Sequence, residues 1–345
     1  MAERKIRKII GTGGIGKGLF FLSRENEVLG RNESRMAELS DAKDYCKLHI
    51  VFHYLSSLLA PDIEVIPVGK VGRDENGALC KVQMKNAGMN TDWIEETSEH
   101  PTMLSICIQY PDKSGCNITS DNSACQEVDS KYILKTVKGL EVDEDTVVVA
   151  LPEVSLESRI ELLRYGKKQG AFCAASCQTA EIREFVKLKG PGMCDLIALN
   201  QEETAALAGM RAVTDLNGAK AAADKILKEY PHLYLWLTVG AEGSLLAAHK
   251  KMIAYPALPG IKVKNTGGAG DASLAGLLTG FCLGLPLWEE QGDGPKGYSA
   301  GELAVLLAGM SVESADSINM EINWEKIQGR AAMWKAGKRG EELIW

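Results

Sequence analysis

Apolar positions in the first third of the chain come in short runs broken by glycine and proline. The run 6–10 predicts a strand that ends in glycines, and 18–22 predicts a second strand with 26–30 as its hairpin partner. Residues 41–60 carry Leu48, Val51, Phe52, Leu55 and Leu59 on one stripe, which predicts a helix. A strand over 64–68 follows Pro61, then a glycine-punctuated turn over 69–77 and a helix over 78–88 with Gly88 as its C′ residue. The pattern at 103–110 is a strand, 111–115 a hairpin turn and 116–119 the returning strand.

The rhythm changes after residue 145. The unbroken apolar run 146–151 fits a strand buried on both faces of a parallel sheet. Helix 155–168, strand 171–175, helix 179–189, strand 195–199, helices 201–208 and 215–229, and strand 233–239 then alternate. Such alternation predicts an α/β fold with a doubly wound, mostly parallel sheet and right-handed crossovers. The segments 18–33 and 102–120 stand outside it and are expected to form a small separate sheet. The main domain then comprises 1–17, 34–101 and 121–345. The tail after 321, with Trp324, Ile327, Met333 and Trp334, is expected to be a helix packed on the outside.

Length changes this picture little: 345 residues suit two domains, or one large α/β domain with an inserted piece. Thirty-nine basic and 46 acidic residues give −7 with no basic block, which argues against nucleic acid as a partner. No apolar run reaches the roughly 18 residues of a membrane span. The charged opening, Met1-Ala2-Glu3-Arg4-Lys5, does not read as a signal peptide. Nine scattered cysteines meet neither a zinc nor a disulfide spacing rule and are expected to be core residues in a reducing cytoplasm.

Two glycine loops bear on chemistry. Gly11-Thr12-Gly13-Gly14-Ile15-Gly16 spells G-x-G-x-x-G after a strand, but the residues that follow, Gly18-Leu19-Phe20-Phe21, have no helical spacing. With Gly16-Lys17 the same stretch nearly spells a phosphate-binding Walker loop, except that Gly18 replaces the hydroxyl residue that ligates Mg2+. It is therefore read as a strand-end crevice where a substrate approaches the backbone closely. The second loop, Lys264 to Ser273, precedes a helix that runs through Leu277, Leu278 and Phe281. Glycines at that place leave backbone N–H groups converging at the positive end of the helix dipole, which suits a transferred phosphoryl group. Asp271 beside it can take the proton of an attacking hydroxyl, although the same carboxylate would also stabilise an ordinary helix start.

Asn265-Thr266-Gly267-Gly268-Ala269-Gly270-Asp271-Ala272 closely resembles the D-T-x-G-A-G-D-[AST] signature of the ribokinase, or PfkB, carbohydrate kinases. Four further blocks resemble that family in its order: Gly69 to Gly77 (G-x-V-G-x-D-x-x-G), Ala87 to Thr91, Asn200 to Glu203 (N-x-x-E) and Thr238 to Gly243 (T-x-G-x-x-G). The resemblance runs from about residue 5 to about residue 325. It implies a ribokinase-like fold whose small sheet is a lid over the substrate, and ATP-dependent phosphoryl transfer to an alcohol.

By the same resemblance Asp271 is the general base, and Gly268, Ala269 and Gly270 supply the anion-hole amides. Thr238, Gly240, Gly243, Asn265 and Gly267 would border the nucleotide. Asn200 and Glu203 would organise phosphates and Mg2+, largely through water, although the pair also has the spacing of a helix capping box. A monovalent cation and a homodimer through the lid are further implications.

The departures from the family lie on the acceptor side. The Asp that family members carry shortly after the first strand is replaced by Gly13-Gly14-Ile15-Gly16. Their G-G-x-x-x-N is replaced by Cys46-Lys47-Leu48-His49-Ile50-Val51, and Asn265 stands for the signature's first Asp. Asn32, Glu33, Arg35, Lys47, His49, His53, Gln109 and Asn117 remain as candidate acceptor residues. With Arg31, Arg35, Lys47 and His49 among these segments, the expectation is an anionic acceptor, provided at least two cations converge beside Asp271. Two rivals stand: a nucleoside kinase, for which Phe20, Phe21 and Tyr110 could stack a base, and a non-catalytic sugar or nucleotide binder.

Overall fold

Among the described residues, nine strands form one sheet, in the order Lys251–Tyr255, Ser244–Ala248, Tyr234–Thr238, Leu196–Leu199, Phe172–Ser176, Thr146–Ala150, Lys8–Thr12, Glu64–Gly72 and Ile94–Thr97. The last seven are parallel; the first two form an antiparallel hairpin on one edge. The computed structural model describes residues 5–112, 114–288 and 297–342, with side chains to 335. Met1–Arg4 and Lys113 of the expected turn lie outside these residues.

The apolar run at 146–150 shows why the sheet is buried on both faces. Val147 and Val149 point into one apolar layer, Val148 and Ala150 into the other. The first layer is built mainly on the helices Lys47–Leu59, Ala269–Cys282 and Ala300–Ser311. The second is built on Ser130–Gly139, Leu156–Lys168 and Leu216–Glu229.

A smaller sheet joins Glu38–Leu39, Gly16–Leu22, Met103–Gln109 and Gly115–Thr119, with Asp44–Tyr45 paired to the second of these. Its composition corrects two expectations. Residues 26–30 are not a strand; their place beside Gly16–Leu22 is taken by 38–39 and by 44–45. The 26–30 loop is instead pinned by Asn26, whose Oδ1 accepts the Asp112 N–H at 3.0 Å. Secondly, the helix expected over 41–60 begins at Lys47, because Asp44 and Tyr45 are committed to pairing with Gly18 and Lys17.

Gly88 does take a left-handed conformation (φ 93°) two residues after the helix Glu75–Asn86. That helix starts earlier than its apolar pattern suggests. Asp74 caps it through the Gly77 N–H at 2.8 Å and also binds the Thr102 N–H and hydroxyl at 2.7 Å, tying the crossover between the sheets. In the C-terminal helix Trp324–Glu342, Ile327 and Trp334 are buried, but Met333 is 72% exposed, so it does not contribute to the packing.

Candidate active site

Two cavities open at the carboxyl ends of the parallel strands, where open α/β sheets bind ligands. One, of about 300 Å3, lies under the small sheet; the other, of about 230 Å3, lies over the strand ends at Ser176, Leu199 and Thr238. They share Lys47, Gly268 and Asp271.

The loop between them is held from below. Asn265 is buried; its Oδ1 accepts the Gly267 N–H at 2.8 Å and its Nδ2 donates to the Ala315 carbonyl at 2.9 Å. Gly268 then adopts φ +80° before the helix Ala269–Cys282, and a Cβ there would stand 2.5 Å from the Ser317 carbonyl oxygen. The helix start is fixed by Ser273, which donates to the Gly270 carbonyl at 2.8 Å and accepts from Trp236 Nε1 at 2.9 Å. Among the described residues the Gly268 and Gly270 amides make no backbone hydrogen bond, whereas the Ala269 N–H lies 3.4 Å from Thr266 O. Converging free amides at a helix start are an anion-binding arrangement.

An Asp at 265 could accept from Gly267 but would set a second acceptor against the Ala315 carbonyl. Asn265→Asp is therefore expected to lower unfolding free energy by about 1–3 kcal/mol in urea titrations at neutral pH. Unchanged stability would mean that the Ala315 bond contributes nothing.

The positive-φ demand falls on Gly268. A Cβ on Gly270 would meet nothing within 4 Å, and Gly270 borders the second cavity. Gly270→Val is accordingly expected to leave the melting temperature within a few degrees of wild type while cutting turnover at least about tenfold, because the added methyls enter space a phosphoryl group would need. Equal losses of both would make Gly270 a purely structural residue.

Asp271, 14% exposed by side chain, lies 3.7 Å from Lys47 Nζ. Burial raises the Asp271 pKa and the Lys47 ammonium opposes the rise, while the Lys47 pKa is raised chiefly by Asp271. Lys47 is the first residue of its helix, so its side chain reaches back over the strand ends.

Two carboxylates not anticipated from sequence complete the first cavity. Glu153, at φ +78° just past the strand Thr146–Ala150, accepts the Lys47 N–H at 3.2 Å. Burial pushes its pKa up to about 7, against the pull of Lys47. Its signal in the sequence was available: an acidic residue directly after an apolar parallel strand lies at the binding end of the sheet. Asp44, only 9% exposed, also borders this cavity.

Of the residues expected at the nucleotide, Asn265 and Gly267 border the first cavity, and Gly240 and Gly243 border neither. Gln109 and Asn117 border the first cavity with Lys47; Asn200, Glu203 and Thr238 border the second. Asn200 and Glu203 form a reciprocal capping box, each backbone N–H donating to the other's side chain at 2.9 Å. Gly240 (φ 55°) and Gly243 (φ 109°) shape the turn beyond Thr238, and a Cβ at Gly243 would overlap the Tyr255 carbonyl.

His49 and His53 do not reach either cavity. The Lys47–Leu59 helix is buried almost all round, and His49 and His53 lie among its buried residues. Burial lowers their pKa values to about 3 and about 4, leaving both neutral. Asn32 and Glu33 are exposed on the outer loop. Arg35 is engaged there by Glu33 at 3.0 Å, by the Glu27 carbonyl at 2.6 Å and by Glu25 at 3.5 Å. Arg31 is exposed as well. Lys47 is thus the single expected cation beside Asp271, and the condition set for an anionic acceptor is not met. Of the aromatic candidates, Phe20 borders the first cavity, while Phe21 and Tyr110 do not.

The pfkB family carbohydrate kinase profile matches residues 51–323. No curated protein matches the sequence. Solved structures with a similar fold include ribokinase from Giardia lamblia (17% identity, 96% of this chain and 99% of that chain, TM-score 0.75). Ribokinase from Cryptococcus neoformans var. grubii serotype A in complex with ADP is similar too (18%, 94% and 99%, TM-score 0.72). So is a Burkholderia thailandensis nucleoside kinase in complex with inosine (15%, 94% and 97%, TM-score 0.70).

Proposed function

We propose, from the premise that the chain belongs to the pfkB family of carbohydrate kinases, that it transfers the γ-phosphoryl group of ATP to a hydroxyl of a sugar or sugar-like small molecule. The observation that carries this reading is the position of Asp271, at the start of a helix, where the two cavities meet and beside Lys47. A hydroxyl in the first cavity and a phosphoryl group in the second would both be within reach of that one carboxylate.

Asp271 takes the acceptor's hydroxyl proton as the oxygen attacks the γ-phosphorus, and ADP leaves. The amides of Gly268 and Gly270 face the charge that develops on the transferred group. Lys47 opposes the rise that burial imposes on the Asp271 pKa and adds a positive charge between donor and acceptor. Asn200, Glu203 and Thr238 border the nucleotide side, and the small sheet covers the acceptor side against water.

The donor set suits Mg2+: Glu203 offers one carboxylate next to phosphate space, and this ion keeps most of its water. Mg2+ neutralises phosphate charge when bound. A monovalent ion finds a different situation at residue 265, where a neutral amide already joins the loop to the Ala315 carbonyl.

A nucleoside acceptor is a second reading, favoured by Phe20 at the wall of the first cavity. The test is ATP consumption with sugars, sugar acids, sugar phosphates, polyols and nucleosides. Turnover with at least one, lost on Asp271→Asn, is the expected result. Binding of such compounds with no ATP consumption by the wild-type protein would leave the non-catalytic binder instead.

A further inference from the structure

The small sheet and the loop that carries the Gly268 and Gly270 amides meet on one short segment, 315–317. On the loop side, Asn265 Nδ2 donates to the Ala315 carbonyl at 2.9 Å. The Ser317 carbonyl oxygen closes the space beside Gly268, 2.5 Å from where a Cβ would stand. On the sheet side, the Lys43 N–H donates to Asp316 Oδ1 at 2.8 Å and the Ser317 N–H to the Lys43 carbonyl at 3.0 Å. The Ser317 hydroxyl accepts the Tyr45 N–H at 3.1 Å and donates to the Asp44 carboxylate.

Asp44 and Tyr45 belong to the small sheet. They pair with Gly18 and Lys17, and a Cβ on Gly18 would overlap the Asp44 carboxylate. Both also border the first cavity. Ser317 is 1% exposed, so water does not replace a bond that its hydroxyl gives up. The two ends of this residue have separate duties. Among the described residues its hydroxyl bonds the sheet side alone, while its carbonyl bears on the loop.

We propose that Ser317 is a positioning residue whose hydroxyl carries the seating of the small sheet to the loop, so that the Gly268 and Gly270 amides are aligned when that sheet is held over the first cavity. A compound in the first cavity would lie against residues 44 and 45 and steady them. Through Ser317 the same contact readies the phosphoryl side. Such coupling confines transfer to molecules whose acceptor cavity is filled. The proposal rests on the kinase reading for the use of the loop, and the tie itself is measured without turnover.

Amide hydrogen exchange is compared between the wild-type protein and Ser317→Ala. The reporters on the loop are the Lys264 and Asn265 N–H groups, bonded to the Val312 carbonyl, and the Gly267 N–H, bonded to Asn265 Oδ1. The Ser317 hydroxyl bonds none of them. Their exchange is expected to quicken about fivefold, the size of one lost hydrogen bond, together with that of 43–46. The strand Thr146–Ala150 is expected to exchange as in wild type, which shows that the main sheet is intact. With an accepted compound, kcat is expected to fall about tenfold and the KM for ATP to stay unchanged, since misaligned amides cost less than a deleted donor.

Faster exchange confined to 43–46, with a raised acceptor KM and unchanged kcat, overturns the proposal, because Ser317 then serves the small sheet alone. Unchanged exchange at both places overturns it too. So does faster exchange through 146–150, which would make Ser317 a general packing residue. Turnover that depends on Asp271, with a loop indifferent to Ser317→Ala, sinks this proposal and leaves the kinase reading intact. A loop that responds to Ser317→Ala, in a protein whose wild type consumes no ATP with any of the compounds, keeps the tie and removes the kinase reading.

Discussion

Asp271→Asn is expected to lower turnover by about two to four decades, the usual contribution of a general base. The substitution keeps the size of the side chain, and the helix start around it is fixed independently by Ser273 and Trp236. The fold and ATP affinity should therefore survive. The amide cannot take a proton, so an acceptor oxygen must attack while still carrying its hydrogen. The comparison is single-turnover phosphorylation of an accepted compound, with melting temperature and ATP affinity as controls. Near-wild-type turnover under conditions where the chemical step is limiting would remove Asp271 from the mechanism.

Lys47→Met is expected to cost about two to three decades in turnover, comparable to deleting one electrostatic donor to a transition state. It should also change the pH profile in a definite direction. Burial raises the Asp271 pKa and Lys47 holds the rise in check. Without the ammonium the folded-state pKa climbs further, so the fraction of ionised base falls at any given pH. The acid limb of kcat/KM should move to higher pH in Lys47→Met, with activity lost earlier as pH falls. Glu153, whose pKa is pushed up to about 7 while Lys47 pulls it down, should shift the same way. A slower enzyme with an unmoved acid limb would show that Lys47 binds phosphate without tuning the base.

What the sequence discloses about this fold depends on how local the cause is. The strand 146–150 is readable because burial on both faces demands an unbroken apolar run. Gly88 and the Asn200–Glu203 pair are readable because a helix end has its own short-range chemistry. The 265–271 loop is readable for the same reason. Asp44 is not: four residues C-terminal to it begins a strongly apolar helical stripe, and strand pairing with Gly18, distant in sequence, keeps it out of that helix. His49 misleads in the opposite sense. A histidine beside a lysine near a strand end looks available, yet its helix is packed between the sheet and the Ala269–Cys282 helix. Arg35 fails for want of distance information, since its acidic partners at 25 and 33 are nearby in sequence and satisfy it on the outer loop.

The overlap between Gly18 and Asp44 also constrains how this chain can change over generations. Any side chain at 18 collides with the carboxylate while Asp44 is present, so 18 cannot vary first. Position 44 must shrink before position 18 can grow, and a reversal must run in the opposite order, with 18 returning to glycine before Asp44 is restored. The two sites therefore behave as a ratchet, in which each substitution is tolerated only on one background. A library randomised at 18 alone should return glycine, whereas one randomised at 18 and 44 together gains routes that neither position opens singly.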